Sequence, residues 1–206
     1  MRDTDFPVIS PPFDHRGEQP IVTGIILAAG TSSRFGSANK LLVPVDGVPL
    51  VCQSVAPFVD VLDQVIVVVG HEATAIEDAV SQFPVTCVSN PSYAEGQATS
   101  VRRGLEAVPD SADGVIVGLA DMPDIRSETV ARLCDAFAAG AGDPIAAAFE
   151  RVRGNPVLFG RQHFEEIHGV TGDNGARRIL DSAPDTVLLE TDDPGVRRDI
   201  DSPSDI

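Results

Sequence analysis

Lysine is nearly missing from this sequence: Lys40 is the only one in 206 residues, and the remaining fourteen of its 15 basic residues are arginine. Positive charge is scarce altogether, because 31 acidic residues leave a formal net charge of −16. Such a surface repels a nucleic-acid backbone and an anionic membrane alike, so neither is expected as a partner. An anionic substrate has to be met in a local basic site. Acidity of this kind, in a chain that keeps a hydrophobic fraction of 43%, predicts adaptation to high cytoplasmic salt rather than disorder. The melting temperature is then expected to rise from low to molar KCl, as the screening length falls to ~3 Å and crowded carboxylates repel one another less. A melting point that stays flat or falls removes the halophilic reading.

Cysteine is also sparse. Cys52, Cys87 and Cys134 form an odd set without C-x-x-C spacing, which suggests neither a disulfide framework nor a thiolate zinc site and fits a reducing compartment. His15, His71, His163 and His168 are scattered and receive no role. No apolar run approaches the ~20 residues of a spanning helix, and the N-terminus lacks the apolar core of a signal peptide. A soluble, cytoplasmic protein is expected.

What is present gathers around residues 24–42, GIILAAGTSSRFGSANKLL. The β-branched run ending in Leu27, Ala28 and Ala29 reads as a buried strand that breaks at Gly30 into a loop of small hydroxyl residues. Gly30 and Gly36 permit backbone angles that turn several amide N–H groups toward one anion, while Ala28 and Ala29 leave room for a flat group against the backbone. Arg34 and Lys40 supply two cations for a triphosphate. Neither a Walker A loop nor a Rossmann fingerprint is present, since Ser37 follows Gly36 and the lysine comes later. An ordinary turn bearing two surface cations is the competing explanation, and the sparing of the one lysine at this position weighs against it.

Along the chain, residues 1–20 carry four prolines and no periodicity, so a flexible tail is expected before a single domain over 21–206. Strands are expected at 64–69, 85–88, 114–119 and 144–149, and helices at 49–59, 72–82, 96–107 and 127–139. This alternation predicts a three-layer α/β/α arrangement around a mostly parallel sheet. After Glu150 the rhythm changes. Residues 154–159 read as a strand suited to antiparallel pairing, helices follow near 161–167 and 173–182, and 186–190 is a last strand.

Ligands of an open parallel sheet bind beyond the carboxyl ends of its strands. The loop at 30–40, residues 90–100, and Asp121 with Pro123 all fall there on this reading. Asp121 directly follows a buried strand and suits a magnesium ligand; a helix N-cap is its alternative role. Asp199 and Asp201 flank Ile200, so in an extended segment both carboxylates point one way while the isoleucine anchors the other. One of them is a candidate second ligand, against a plain solvated acidic terminus.

The segments LAAGTSSRFG, NKLL, NPSYAEGQATSVRRGL, LADMP, GNPVLF, GDNGARRIL and DIDSPSDI, in this order and spacing, resemble the molybdenum cofactor cytidylyltransferase family. That family belongs to the nucleotidyltransferases with a glycosyltransferase-A-like fold and is related to the molybdenum cofactor guanylyltransferases. The resemblance implies CTP and molybdopterin-type molybdenum cofactor as substrates, pyrophosphate as product, Mg2+ as cofactor, and a recipient molybdoenzyme as a further partner. It implies that Leu27, Ala28, Ala29 and Gly30 hold the nucleotide together with Arg34 and Lys40, with Asn90, Gly96 and Ser100 bordering base and sugar. It implies Asp121 and Asp201 as metal ligands, and Arg34, Lys40 and Asp121 as the catalytic set. Gly154, Asn155, Pro156, Asp173 and Arg177 would face the pterin. In the resembling families the residue before the loop glycine is alanine on the cytidylyl side and glycine on the guanylyl side; here it is Ala29. Rival readings are a guanylyltransferase of the same cofactor, a sugar-phosphate nucleotidyltransferase, and a non-catalytic factor that carries the cofactor to a molybdoenzyme.

Overall fold

Runs of β-branched residues and amphipathic segments settle into ten strands and six α-helices among the residues described by a computed structural model, namely 6–15, 17–31, 39–170, 172 and 175–205, with backbone alone at 175 and 176. The middle of the sheet is β2 (Val22–Ala28), flanked by β5 (Gln64–Val69) and β7 (Gly114–Leu119). All three are near-continuous apolar runs because both of their faces are covered. Beyond β5 lies β6 (Val85–Ser89). Beyond β7 come β9 (Val152–Gly160), β8 (Ile145–Phe149), β10 (Val187–Glu190) and β1 (Val8–Ile9). Only β9 runs antiparallel to its neighbours, β7 and β8; every other adjacent pair is parallel.

Alternate side chains of each strand feed two separate cores. Ile26 and Val67 pack with Phe58, Ile76 and Leu133 beneath α1 (Leu50–Val59), α2 (Ala73–Val80) and α4 (Ser127–Ala138). Ile25 and Val68 pack with Val101, Leu105, Ile167 and Ile179 beneath α3 (Gln97–Leu105), α5 (Phe164–Gly169) and α6 (Gly175–Ser182). Burial of each such side chain stabilises the fold by about 1.5–3 kcal/mol, so the carboxyl ends of the central strands are rigid mounts. No helix among the described residues is long and apolar enough to cross a membrane.

One stretch departs from the sequence expectation. Residues 1–20 were expected to be a flexible tail, yet β1 pairs with β10, Leu188 donates its N–H to the Pro7 carbonyl at 2.8 Å, and Phe6 is buried in the second core. A two-residue strand shows no periodicity, and its partner lies some 180 positions further along the chain. Residues 43–49 form a small hairpin, β3 (Pro44–Val45) with β4 (Val48–Pro49), around Asp46 and Gly47. Both turn residues have left-handed backbone, at φ 49° and 84°, which matches the twist of a tight hairpin.

Candidate active site

Strand register brings the polar segments to one edge. Leu27 sits beside Leu119, Ala28 beside Val69, and Val69 beside Ser89, so the residues that follow these strands emerge together at the carboxyl end of the sheet. They enclose a cleft of about 560 Å³ lined by Leu27, Ala29, Gly30, Gly96, Ser100 and Asp121, with Tyr93 and Gln97 among the other walls. Gly70 is required beneath it: a Cβ there would lie 2.8 Å from the Cβ atoms of both Ala29 and Tyr93. The absence of that carbon lets the alanine methyl and the tyrosine close into one wall.

Ala28 does not line the cleft, because strand alternation turns its methyl into the first core. Asn90 is buried as well. Its Nδ2 donates to Thr99 Oγ1 and Ser100 Oγ, each at 2.9 Å, and its Oδ1 accepts from the Ser92 N–H at 3.0 Å. The amide therefore fixes the start of α3 against the end of β6, and Ser100, not Asn90, reaches the cleft.

Lys40 stands in a short helical turn whose cap, Asn39, accepts from the Leu41 N–H. The lysine Nζ donates to Asp121 Oδ2 at 2.7 Å, to the Ile200 carbonyl at 2.9 Å and to Asp201 Oδ1 at 3.2 Å. Burial alone would lower its pKa; the hydrogen bonds and negative charge of Asp121, and then of Asp201, outweigh that and raise it above the ordinary lysine value. Lys40 is an ammonium at neutral pH.

The C-terminal segment reaches this point by way of two carboxylates. Asp193, buried, accepts from the Arg126 N–H and Thr129 Oγ on one oxygen and from the Gly195 N–H on the other. Asp205 accepts from Ser202 Oγ and from the Ser202 and Asp201 N–H groups, and these hold its pKa below the usual aspartate value. Between them the Ile200 N–H donates to the Asp121 carbonyl at 2.9 Å and the Ile200 side chain enters the core. Carboxylate oxygens of Asp121, Asp199 and Asp201 all lie within 4.8 Å of one another. Asp121 Oδ1 is buried without a hydrogen-bond partner. A set of hard oxygen donors with one orphaned lone-pair site fits a small divalent cation.

A second cleft, of about 280 Å³, opens on the other side of Leu119 and is lined by Gly154, Asn155, Arg153, Arg197 and Asp199 among others. Pro156 is buried beside it, and Arg177 is exposed on α6 and lines neither cleft. Arg34 and Asp173 lie outside the described residues. Residue pattern alone did not single out Tyr93 or Arg197, nor the Ile200 carbonyl, which has no side-chain signature.

The family described as the MobA-like NTP transferase domain matches residues 24–187. The chain belongs to this family. As an NTP transferase it is 29% identical to nicotine blue oxidoreductase of Paenarthrobacter nicotinovorans, over 89% of this chain and 93% of that protein. It is 30% identical to purine catabolism protein PucB of Bacillus subtilis, over 90% and 94%. With the molybdenum cofactor cytidylyltransferase of Escherichia coli it shares 25% identity, over 88% and 91%. Among solved structures it resembles Rv0371c of Mycobacterium tuberculosis at a TM-score of 0.80 and 26% identity, over 91% of this chain and 96% of that one. The manganese complex of Rv0371c superposes at 0.73 with 26% identity, over 89% and 95%. Membership of this family makes the protein a nucleotidyltransferase with a nucleoside triphosphate substrate.

Proposed function

We propose that the protein transfers CMP from CTP to the terminal phosphate of a molybdopterin-type molybdenum cofactor, releasing pyrophosphate, with Mg2+ held by Asp121 and Asp201. The observation that carries this reading is that two clefts meet at the carboxylates: Asp121 lines the larger and Asp199 the smaller. That is the layout needed for a nucleotide on one side and an acceptor on the other. The relationship to a molybdenum cofactor cytidylyltransferase and the manganese complex of Rv0371c support the choice of acceptor class and of a divalent ion.

The chemistry is a displacement at phosphorus. An acceptor phosphate oxygen forms a bond to the α-phosphorus while the bond to the β-bridging oxygen breaks, and pyrophosphate departs with the electron pair. Both reactants are anions, so the protein's main task is to place positive charge and exclude water, and it needs no nucleophile of its own. A bound Mg2+ supplies charge neutralisation for the phosphate oxygens. The N-terminus of α3 favours negative charge at the cleft, and Lys40 carries a second positive charge to the carboxylate junction.

CTP is expected to be preferred over GTP. Ala29 closes against Gly70 and Tyr93 with almost no exposure, and a purine needs more of that space than a pyrimidine. Selection by one methyl is limited to ~1–3 kcal/mol, so GTP should still turn over slowly. Pyrophosphate release from a panel of nucleotides, with the cofactor supplied as acceptor, tests the whole reading. Equal efficiency with CTP and GTP overturns the base preference, and no release with any nucleotide overturns catalysis on this acceptor.

A further inference from the structure

The smaller cleft has a feature that no residue pattern assigned. In a chain of net charge −16, two arginines, Arg153 and Arg197, are among its lining residues. Arg153 is committed to the protein, for its side chain is only 9% exposed and pairs with Asp181 at 3.4 Å. Arg198, next along the chain, is likewise committed, donating to Asp124 at 2.7 Å and to the Asp205 carbonyl at 3.0 Å. Arg197 differs: it is exposed, and its side chain makes no hydrogen bond or ion pair among the described residues.

Its backbone is nevertheless fixed. Arg197 ends the short helical turn Pro194–Arg197, which Asp193 caps and Val196 anchors in the core. Strand β9 presses against that turn so closely that a Cβ on Gly154 would lie 2.0 Å from the Val196 carbonyl oxygen. A guanidinium left without a carboxylate, on a rigid base, in a cleft that shares Asp199 with the cation site, is arranged for an external anion.

We propose that Arg197 is the acceptor-anion receptor, gripping the phosphate monoester of the acceptor substrate through its planar fork and holding it beside the carboxylate junction. The inference rests on the nucleotidyltransferase reading above and adds a positioning and specificity residue to it. The cleft's volume of about 280 Å³ suits a phosphate and its ester linkage rather than a whole fused ring system. The remainder of the acceptor then extends over the apolar Val152, which is 36% exposed at the rim. Asn155 and Asp199 are the other polar residues lining that space. Asp199 repels a bare phosphate, so occupancy depends on a cation at the junction, and the acceptor is expected to bind after metal and nucleotide.

The probe is inorganic phosphate, titrated calorimetrically into protein saturated with Mg2+ and a non-hydrolysable α,β-methylene CTP, which keeps the triphosphate side filled. The native protein is expected to take up phosphate. Arg197→Ala should weaken that uptake at least tenfold, and Arg197→Lys, which keeps the charge but not the fork, should fall between. Nucleotide binding, followed by the emission of Tyr93, the sole tyrosine in a chain without tryptophan, should change less than twofold in both variants. Equal phosphate affinity in the native protein and Arg197→Ala, or no uptake by the native protein, overturns the proposal. In turnover assays Arg197→Ala should raise KM for a phosphate-bearing acceptor at least tenfold with KM for CTP unmoved. Arg197-dependent phosphate uptake in a protein that does not turn over molybdenum cofactor sinks the proposed acceptor but upholds the role of Arg197.

Discussion

Asp121→Asn should leave the fold intact and lower turnover about a thousandfold, roughly 4 kcal/mol of transition-state stabilisation. The substitution keeps the shape of a side chain set at the end of β7, where the Ile200 N–H bonds the residue 121 carbonyl and does not sense the change. What it removes is charge. Asp121 Oδ2 accepts a 2.7 Å hydrogen bond from Lys40, and Oδ1 is the buried oxygen left without a partner. An amide presents one acceptor and two donors to a place built for cations, so one N–H₂ group faces either the ammonium or the metal position. A buried charge-assisted hydrogen bond contributes about 1.5–3 kcal/mol, and loss of a metal ligand adds to that. Manganese titration followed by electron paramagnetic resonance should show weakened binding in step with the lost turnover. Native turnover at limiting magnesium would remove Asp121 from the metal site. Asp201→Asn should act in the same direction but less strongly, because Asp199 offers a third carboxylate within 4.8 Å.

The parts of this protein that can be read from its sequence are those whose signal is local. Strands β5 and β7 were expected and found over the same residues, 64–69 and 114–119, because a β-branched run buried on both faces has no helical period to confuse it. The Asp199-Ile200-Asp201 alternation was legible for the same reason: period two sends Ile200 into the core and leaves the carboxylates facing Asp121. β1 was not legible, since its only support is an edge supplied by β10. Asn90 shows a subtler limit. It follows a strand, as the sequence suggests, yet which of its neighbours consume the amide depends on Thr99 and Ser100 in the first turn of α3. Lys40 shows the same limit more sharply: a cation in a glycine-rich loop reads as a phosphate holder, but its partners Asp121 and Asp201 are 81 and 161 positions further on.

Lys40→Met should therefore move two measurements in opposite directions. In the structure the ammonium is bonded to both Asp121 and Asp201, and it offsets part of the charge of the three clustered carboxylates. Methionine is of similar length and keeps the packing but removes the ammonium's share of that compensation. A unit charge about 4 Å from a divalent ion, at an effective dielectric near 20, contributes several kcal/mol of repulsion before solvent screening, so manganese affinity should rise about tenfold or more when the charge is removed. Turnover should nevertheless fall, because the same positive charge is no longer available to the anionic reactants. The metal-free variant should melt below the native protein, and added manganese should raise its melting point by the larger amount, since a ligand that binds the folded state more tightly stabilises it more. Lys40→Arg separates charge from shape: it keeps the cation in a broader fork, so metal affinity should not rise while turnover drops by about 1.5–3 kcal/mol, the range for one charge-assisted hydrogen bond. Acylation gives a check without mutagenesis, because an amine-directed reagent finds only Lys40 and the chain's α-amino group; the neutral amide should lower turnover as methionine does. If Lys40→Met loses manganese binding together with turnover while remaining folded, the ammonium is not the counter-cation of this site and the arrangement of charge argued for it is wrong.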